Sequence, residues 1–157
     1  MGLKVIYYGS TATYAAYGMA AIHLGIYKKE KIPCHDDIIR QWNLCFNDSY
    51  QKGNLVYLGL DAELREVYII GCGVHSRMLK KSFKGFGDLY GIDDAIFYVD
   101  ASPWEGIVKL LVALSMKFPM IEPITKRFYI HWYKRIFPIW TDRVRMEWEK
   151  LSGWGNS

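Results

Sequence analysis

The residues best placed to do chemistry follow the apolar stretch Lys4-Val5-Ile6-Tyr7-Tyr8. They are the loop Gly9-Ser10-Thr11-Ala12-Thr13 and a helix-like run through Ala20-Ala21-Ile22-His23-Leu24-Gly25. Backbone amides and small hydroxylated side chains between a strand and a helix N-terminus suit an anion, helped by the positive end of the helix dipole. Gly9, Ser10, Thr11 and Thr13 are therefore the candidate donors to a phosphate-bearing metabolite or nucleotide, with His23 and Asp61 as polar groups nearby. A Walker A loop needs a Gly-Lys pair to neutralise the terminal phosphates. Here the next lysine or arginine after Gly9 is Lys28, which excludes a triphosphate hydrolase of that type.

Gly71-Cys72-Gly73-Val74-His75-Ser76 approaches two other loops and satisfies neither. A dinucleotide site needs a parallel strand before it and an acidic residue roughly 20 positions on. The preceding strand reads as half of a hairpin, and Asp100 comes late. A cysteine-phosphatase loop needs one more residue between cysteine and arginine than Cys72 and Arg77 leave, so the guanidinium would be misaimed. A glycine-rich strand exit is the simpler reading. Cys34-His35-Asp36-Asp37 holds metal-ligand residue types, but consecutive residues cannot all face one ion, and Cys72 with His75 lacks a second pair. No metal site is expected, and nothing names a cofactor. His23 could act as an acid or base near neutrality; its simpler reading is a histidine at the core edge, hydrogen-bonded to backbone.

A second candidate lies near the other end. The segment from Lys126 to Phe137 mixes cations with aromatics, and such a helix can lie on anionic lipid or dock on a protein partner. Lys126, Arg127, Trp132, Lys134 and Arg135 would make that contact, in a non-catalytic interaction protein. The simpler reading packs the aromatics on a sheet and sends the cationic heads to water. A net charge of +4, scattered along the chain, does not point to nucleic acid.

Strands alternating with helices must position these groups. Lys4 to Tyr8, Leu55 to Leu60, Glu66 to Gly71 and Ala95 to Val99 are rich in β-branched and aromatic residues and read as strands. The polar turn Asp61 to Arg65 makes the middle two an antiparallel hairpin. Helices are expected over Thr13 to Ile26, with Thr11 or Thr13 as N-cap, from Asp36 or Asp37 to about Ser49, and over Ser76 to Leu89. Pro103 opens another, Trp104 to Phe118, while Pro123 and Pro138 bracket Ile124 to Phe137 and separate it from Ile139 to Leu151. The expectation is an α/β domain of three layers over residues 1–151. Its sheet is mixed and mainly parallel with one antiparallel hairpin, its last third is helical, and a frayed tail covers 152–157.

Composition bounds the class. Hydrophobic residues at 51% and charged residues at 23% are those of a soluble globular domain. Cys34, Cys45 and Cys72 form an odd set without regular spacing, which fits a reducing cytoplasm. No run approaches the roughly 18 apolar residues of a spanning helix; the nearest, Ile107 to Met116, is interrupted by Lys109.

The order of the pieces resembles an uncharacterised family of spore-forming Firmicutes, the domain of unknown function 3189. The resemblance lies in Lys4 to Tyr8 with its small-residue loop, Ala20 to Gly25, Tyr57-Leu58-Gly59-Leu60-Asp61, Glu66 to Gly71 and Ile96-Phe97-Tyr98-Val99-Asp100. It covers the first two thirds of the chain and implies a fold and a cytoplasmic origin, but no reaction. The family's first loop carries a histidine followed by serines, whereas this chain reads Gly9-Ser10-Thr11-Ala12-Thr13-Tyr14. Any chemistry of that histidine therefore does not carry over. The aromatic C-terminal segment also differs from the family's usual ending.

Overall fold

The computed structural model of the chain describes residues 2–47, 52–91 and 95–154. Four strands form: β1 (Lys4–Gly9), β2 (Leu55–Leu60), β3 (Glu66–Gly71) and β4 (Ile96–Asp100). They lie side by side in the order β2-β3-β1-β4. β1 is parallel to both β3 and β4, and β2 is antiparallel to β3, which gives the expected mixed sheet. Lys4 is opposite Glu66, Gly9 opposite Gly71 and Tyr8 opposite Asp100, so the three parallel strands end together.

Alternation along the strands separates two faces. Val5, Tyr7, Val67, Ile69, Phe97 and Val99 enter one apolar core with α1 (Tyr17–His23), α2 (His35–Leu44), α4 (Val108–Lys117) and α5 (Glu122–Trp154). Ile6, Tyr8 and Ile70 face the other way, toward Leu79 and Phe83 of α3 (Ser76–Tyr90). Helices therefore flank the sheet on both sides.

Four helices differ from expectation. The helix after the first loop does not start at Thr13. Ala12–Ala16 is an irregular turn with Tyr14 at φ −91°, ψ −120°, Thr11 makes no side-chain cap, and α1 begins only at Tyr17. The carbonyls of Thr13 and Tyr14 accept hydrogen bonds from the buried Gln41 amide, at 3.3 and 3.0 Å. Gly25, at φ +73°, lies just past the end of α1, in the left-handed conformation that suits glycine after a helix.

The second difference is at the C-terminus, where one helix of 33 residues replaces the expected pair and runs through Pro138. A proline inside a helix costs about 3 kcal/mol. It is tolerated here because Tyr129, Tyr133, Phe137, Trp140, Val144 and Leu151, spaced for one helix side, are all buried in the core on both sides of it. That helix continues through Ser152–Trp154; residues 155–157 lie outside the described residues. Third, Pro103 opens only the short turn Ser102–Trp104, because Gly106 adopts φ +58° and delays α4 to Val108. α2 likewise ends at Leu44, and Ser49, its expected end, lies outside the described residues.

Candidate functional site

The chain leaves β1 toward α1 on one face and β3 toward α3 on the other. Neighbouring strands whose connections part in this way open a crevice at their carboxyl ends, the usual ligand position in α/β sheets. Gly9 and Ser10 sit there beside Cys72 and Gly73. Backbone pairing continues past the strand ends, with the Cys72 amide donating to the Gly9 carbonyl at 2.8 Å and the Gly73 amide to the Ser10 carbonyl at 2.9 Å. The first loop lies across Gly71, where a Cβ would come within 2.9 Å of the Ala12 nitrogen.

An anion does occupy the first loop, and it belongs to the protein. The Ser10 amide donates to Glu105 Oε1 at 2.7 Å and the Ser10 hydroxyl donates to Oε2. Glu105 is buried. A methyl group at Gly9 would stand 2.5 Å from its Oε1, so a larger residue there would push the carboxylate aside. Burial raises the Glu105 pKa; the Ser10 hydroxyl, the Ser10 and Thr11 amides and Lys109 pull the other way without cancelling it. The donors come from the loop itself and not from the first turn of α1, which starts further on.

The other expected site residues lie elsewhere. The buried Thr13 has its hydroxyl 3.5 Å from that of Thr11. His23 and Asp61 are brought together, but at the opposite end of the sheet, since the Asp61–Arg65 turn leads into Glu66, the partner of Lys4. His23 Nε2 is 3.0 Å from Asp61 Oδ2, and Tyr7 Oη is 2.7 Å from His23 Nδ1. Arg65 Nε donates to the same Asp61 oxygen at 2.6 Å, and the Glu63 and Arg65 amides donate to Oδ1, each at 2.9 Å. A neutral imidazole satisfies this arrangement, with Nε2–H donating to Asp61 and Nδ1 accepting from Tyr7.

Burial lowers the His23 pKa, and the Asp61 hydrogen bond offsets only part of that effect. Burial pushes the Asp61 carboxyl up, but His23, Arg65 and the two amides together hold it below its ordinary value. Trp148 of α5 closes the group, with its ring 4.7 Å from that of His23 and under the Arg65 guanidinium. This assembly is a sealed polar core.

β3 is parallel to β1 as well as half of a hairpin, so one objection to a dinucleotide site falls. The other stands: β1 separates β3 from β4, and Asp100 accepts hydrogen bonds from the Ser102 amide and hydroxyl. Cys72 is buried, and burial together with Asp100 and Glu105 pushes its thiol up to about 11, the reverse of an activated nucleophile.

In the C-terminal segment Tyr129, Tyr133 and Phe137 go inward, while Phe128 is exposed. Trp132 stacks among Tyr129, Tyr133 and Trp140, and its indole fills the space beside Gly106. Lys126 pairs with Glu122, while Arg127, Lys134 and Arg135 reach solvent. Among the described residues no helix is long and apolar enough to cross a membrane.

The sequence profile described as "Protein of unknown function (DUF3189)" matches residues 4–145. The chain belongs to this family. No curated protein and no solved structure matches it. The DUF3189 match runs from the first residue of β1 into α5, so the aromatic segment lies inside it and the likeness extends well past the first two thirds of the chain.

Three residues central to these arrangements carried no signal in the sequence. Glu105 is 95 positions from Ser10, Gln41 is 92 from Tyr133, whose hydroxyl donates to it at 2.7 Å, and Trp148 lies far along the chain from His23. Arg65 was closer to legible, because the turn it closes begins at Asp61.

Proposed function

We propose that the chain binds a small phosphate-bearing anion, a metabolite or nucleotide, at the Gly9–Thr11 loop in competition with Glu105. The observation that carries this reading is the convergence of the Ser10 amide and hydroxyl on a single carboxylate. Donors aimed at one point are what concave backbone sites offer to phosphate, and this one lies at the carboxyl ends of strands whose connections diverge. Glu105 is then the resident anion that a ligand must displace. Its raised pKa eases withdrawal as the pH falls. His23 and Asp61, at the other end of the sheet, take no part.

Titration of the wild-type chain and of Glu105→Ala with inorganic phosphate and with nucleotides, followed by melting temperature and calorimetry, tests the reading. Without ligand, Glu105→Ala is less stable by about 2 kcal/mol, the scale of charge-assisted hydrogen bonds lost from a buried site. Phosphate should restore part of that stability, and the added Ser10→Ala change should abolish the rescue. A Glu105→Ala protein indifferent to every anion, or a rescue that survives Ser10→Ala, overturns the proposal.

A further inference from the structure

Among the described residues the sheet face opposite the main core carries one helix, α3, and much of that helix is exposed. Leu79 and Phe83 pack on the sheet, with Phe83 stacked over Tyr98. At 100° per residue, Met78, Leu89 and Phe86 fall on the neighbouring flank, where they remain 68, 79 and 61% exposed. Val74, just before the helix, and Tyr90, at its end, are also exposed. An open groove of about 430 Å³ runs along this side, lined by His75, Met78, Leu79, Ser82, Phe83 and Phe86. Arg77, Lys80, Lys81 and Lys84 occupy the other outward flank, and Asp88 is the one carboxylate among them.

We propose that α3 is an interfacial helix that seats this face on an anionic bilayer, its apolar flank entering the acyl boundary and its cations reaching the lipid phosphates. Segregated apolar and basic flanks with exposed Phe, Leu and Met are what such a surface takes up. A nucleic acid would engage the cations and leave Met78, Leu89 and Phe86 in water. A second copy would pair the apolar flanks and leave the cations in water, so it too would use only one of the two. Only an anionic bilayer uses both flanks. The inference moves the membrane contact from α5, whose Tyr129, Tyr133, Phe137 and Trp140 are committed to the core, to α3, and it does not depend on the anion cradle.

Sedimentation of the full chain with vesicles of phosphatidylcholine alone and of phosphatidylcholine with phosphatidylserine tests it. Binding is expected only to the serine-lipid vesicles and should weaken as salt is added. Changing Lys80, Lys81 and Lys84 to Gln should lower partitioning on the order of a hundredfold. Met78→Gln with Leu89→Gln should lower it at least about tenfold. All five positions are solvent-exposed, so unchanged melting curves will show that the variants fold. The proposal fails if neither vesicle is bound or if either variant binds like wild type. It also fails if single-stranded nucleic acid displaces the chain while the apolar variant is unaffected, which would mark a soluble polyanion as the partner.

Discussion

The two faces of the sheet are built to different standards. On one, α1, α2, α4 and α5 enclose Trp42, Tyr129, Tyr133, Phe137 and Trp140, each at most 2% exposed. Trp140 lies so close over α1 that a Cβ on Gly18 would come within 2.3 Å of its ring. Among the described residues the other face has a single helix, whose Met78, Phe86 and Leu89 remain exposed. A domain that can seal one face this completely has the means to seal both, so the open face is the place to look for a surface with work to do.

Truncations will measure that contrast. Trp140→Ala empties a site bounded by α1 and by the rest of the aromatic cluster, and should cost the most, about 5 kcal/mol in chemical denaturation. Asp61→Ala should follow at about 3–4 kcal/mol, because it leaves Arg65 and His23 buried without their anion.

The same polar group sets an acid limit. With the His23 pKa lowered by burial, the unfolded chain takes up a proton first as the pH drops below the ordinary histidine value, and stability falls. The depressed Asp61 pKa adds to the loss further into acid, as the pH falls through the folded-state value. Melting temperature should therefore decline from neutral pH downward, and His23→Gln should flatten the part of the curve nearest neutrality. A wild-type profile level through that range would remove His23 from the account.

Tyr129→Phe tests the sealed face with the opposite sign. Among the described residues the buried Tyr129 hydroxyl has no hydrogen-bond partner, so its removal should stabilise the protein by about 1 kcal/mol. Phe86→Ala, on the open face, should change stability by less than about 0.5 kcal/mol. A loss of several kcal/mol there would show that α3 is packed as firmly as α5, and would end the contrast.

Much of this architecture was legible beforehand, for reasons that individual residues make plain. The strands were readable because β-branched and aromatic residues crowd Val5 to Tyr8 and Val67 to Ile70, and the hairpin because a polar turn separates two such runs. Pro138 misled, since local preference says that a helix should stop there and only the burial of Phe137 and Trp140 beside it says otherwise. The first loop was recognised as suited to an anion, while the identity of the anion that fills it was out of reach. Glu105 stands on the far side of three strands in sequence, and no local pattern ties it to Ser10. His23 and Asp61 were both chosen, but their distance from the loop follows from the length of α1, which carries His23 back to the start of the sheet.

The sequence by itself determined the strand positions, the mixed sheet and the helical last third. These depend on side-chain volume, branching and turn chemistry within a few residues, and such preferences act before the chain has folded. The tertiary structure alone decided that Glu105 fills the loop, that His23 and Asp61 form a closed group under Trp148, and that Met78, Phe86 and Leu89 of α3 stay in water. Each of these is a long-range choice among competing burials, settled by which surfaces pack best together.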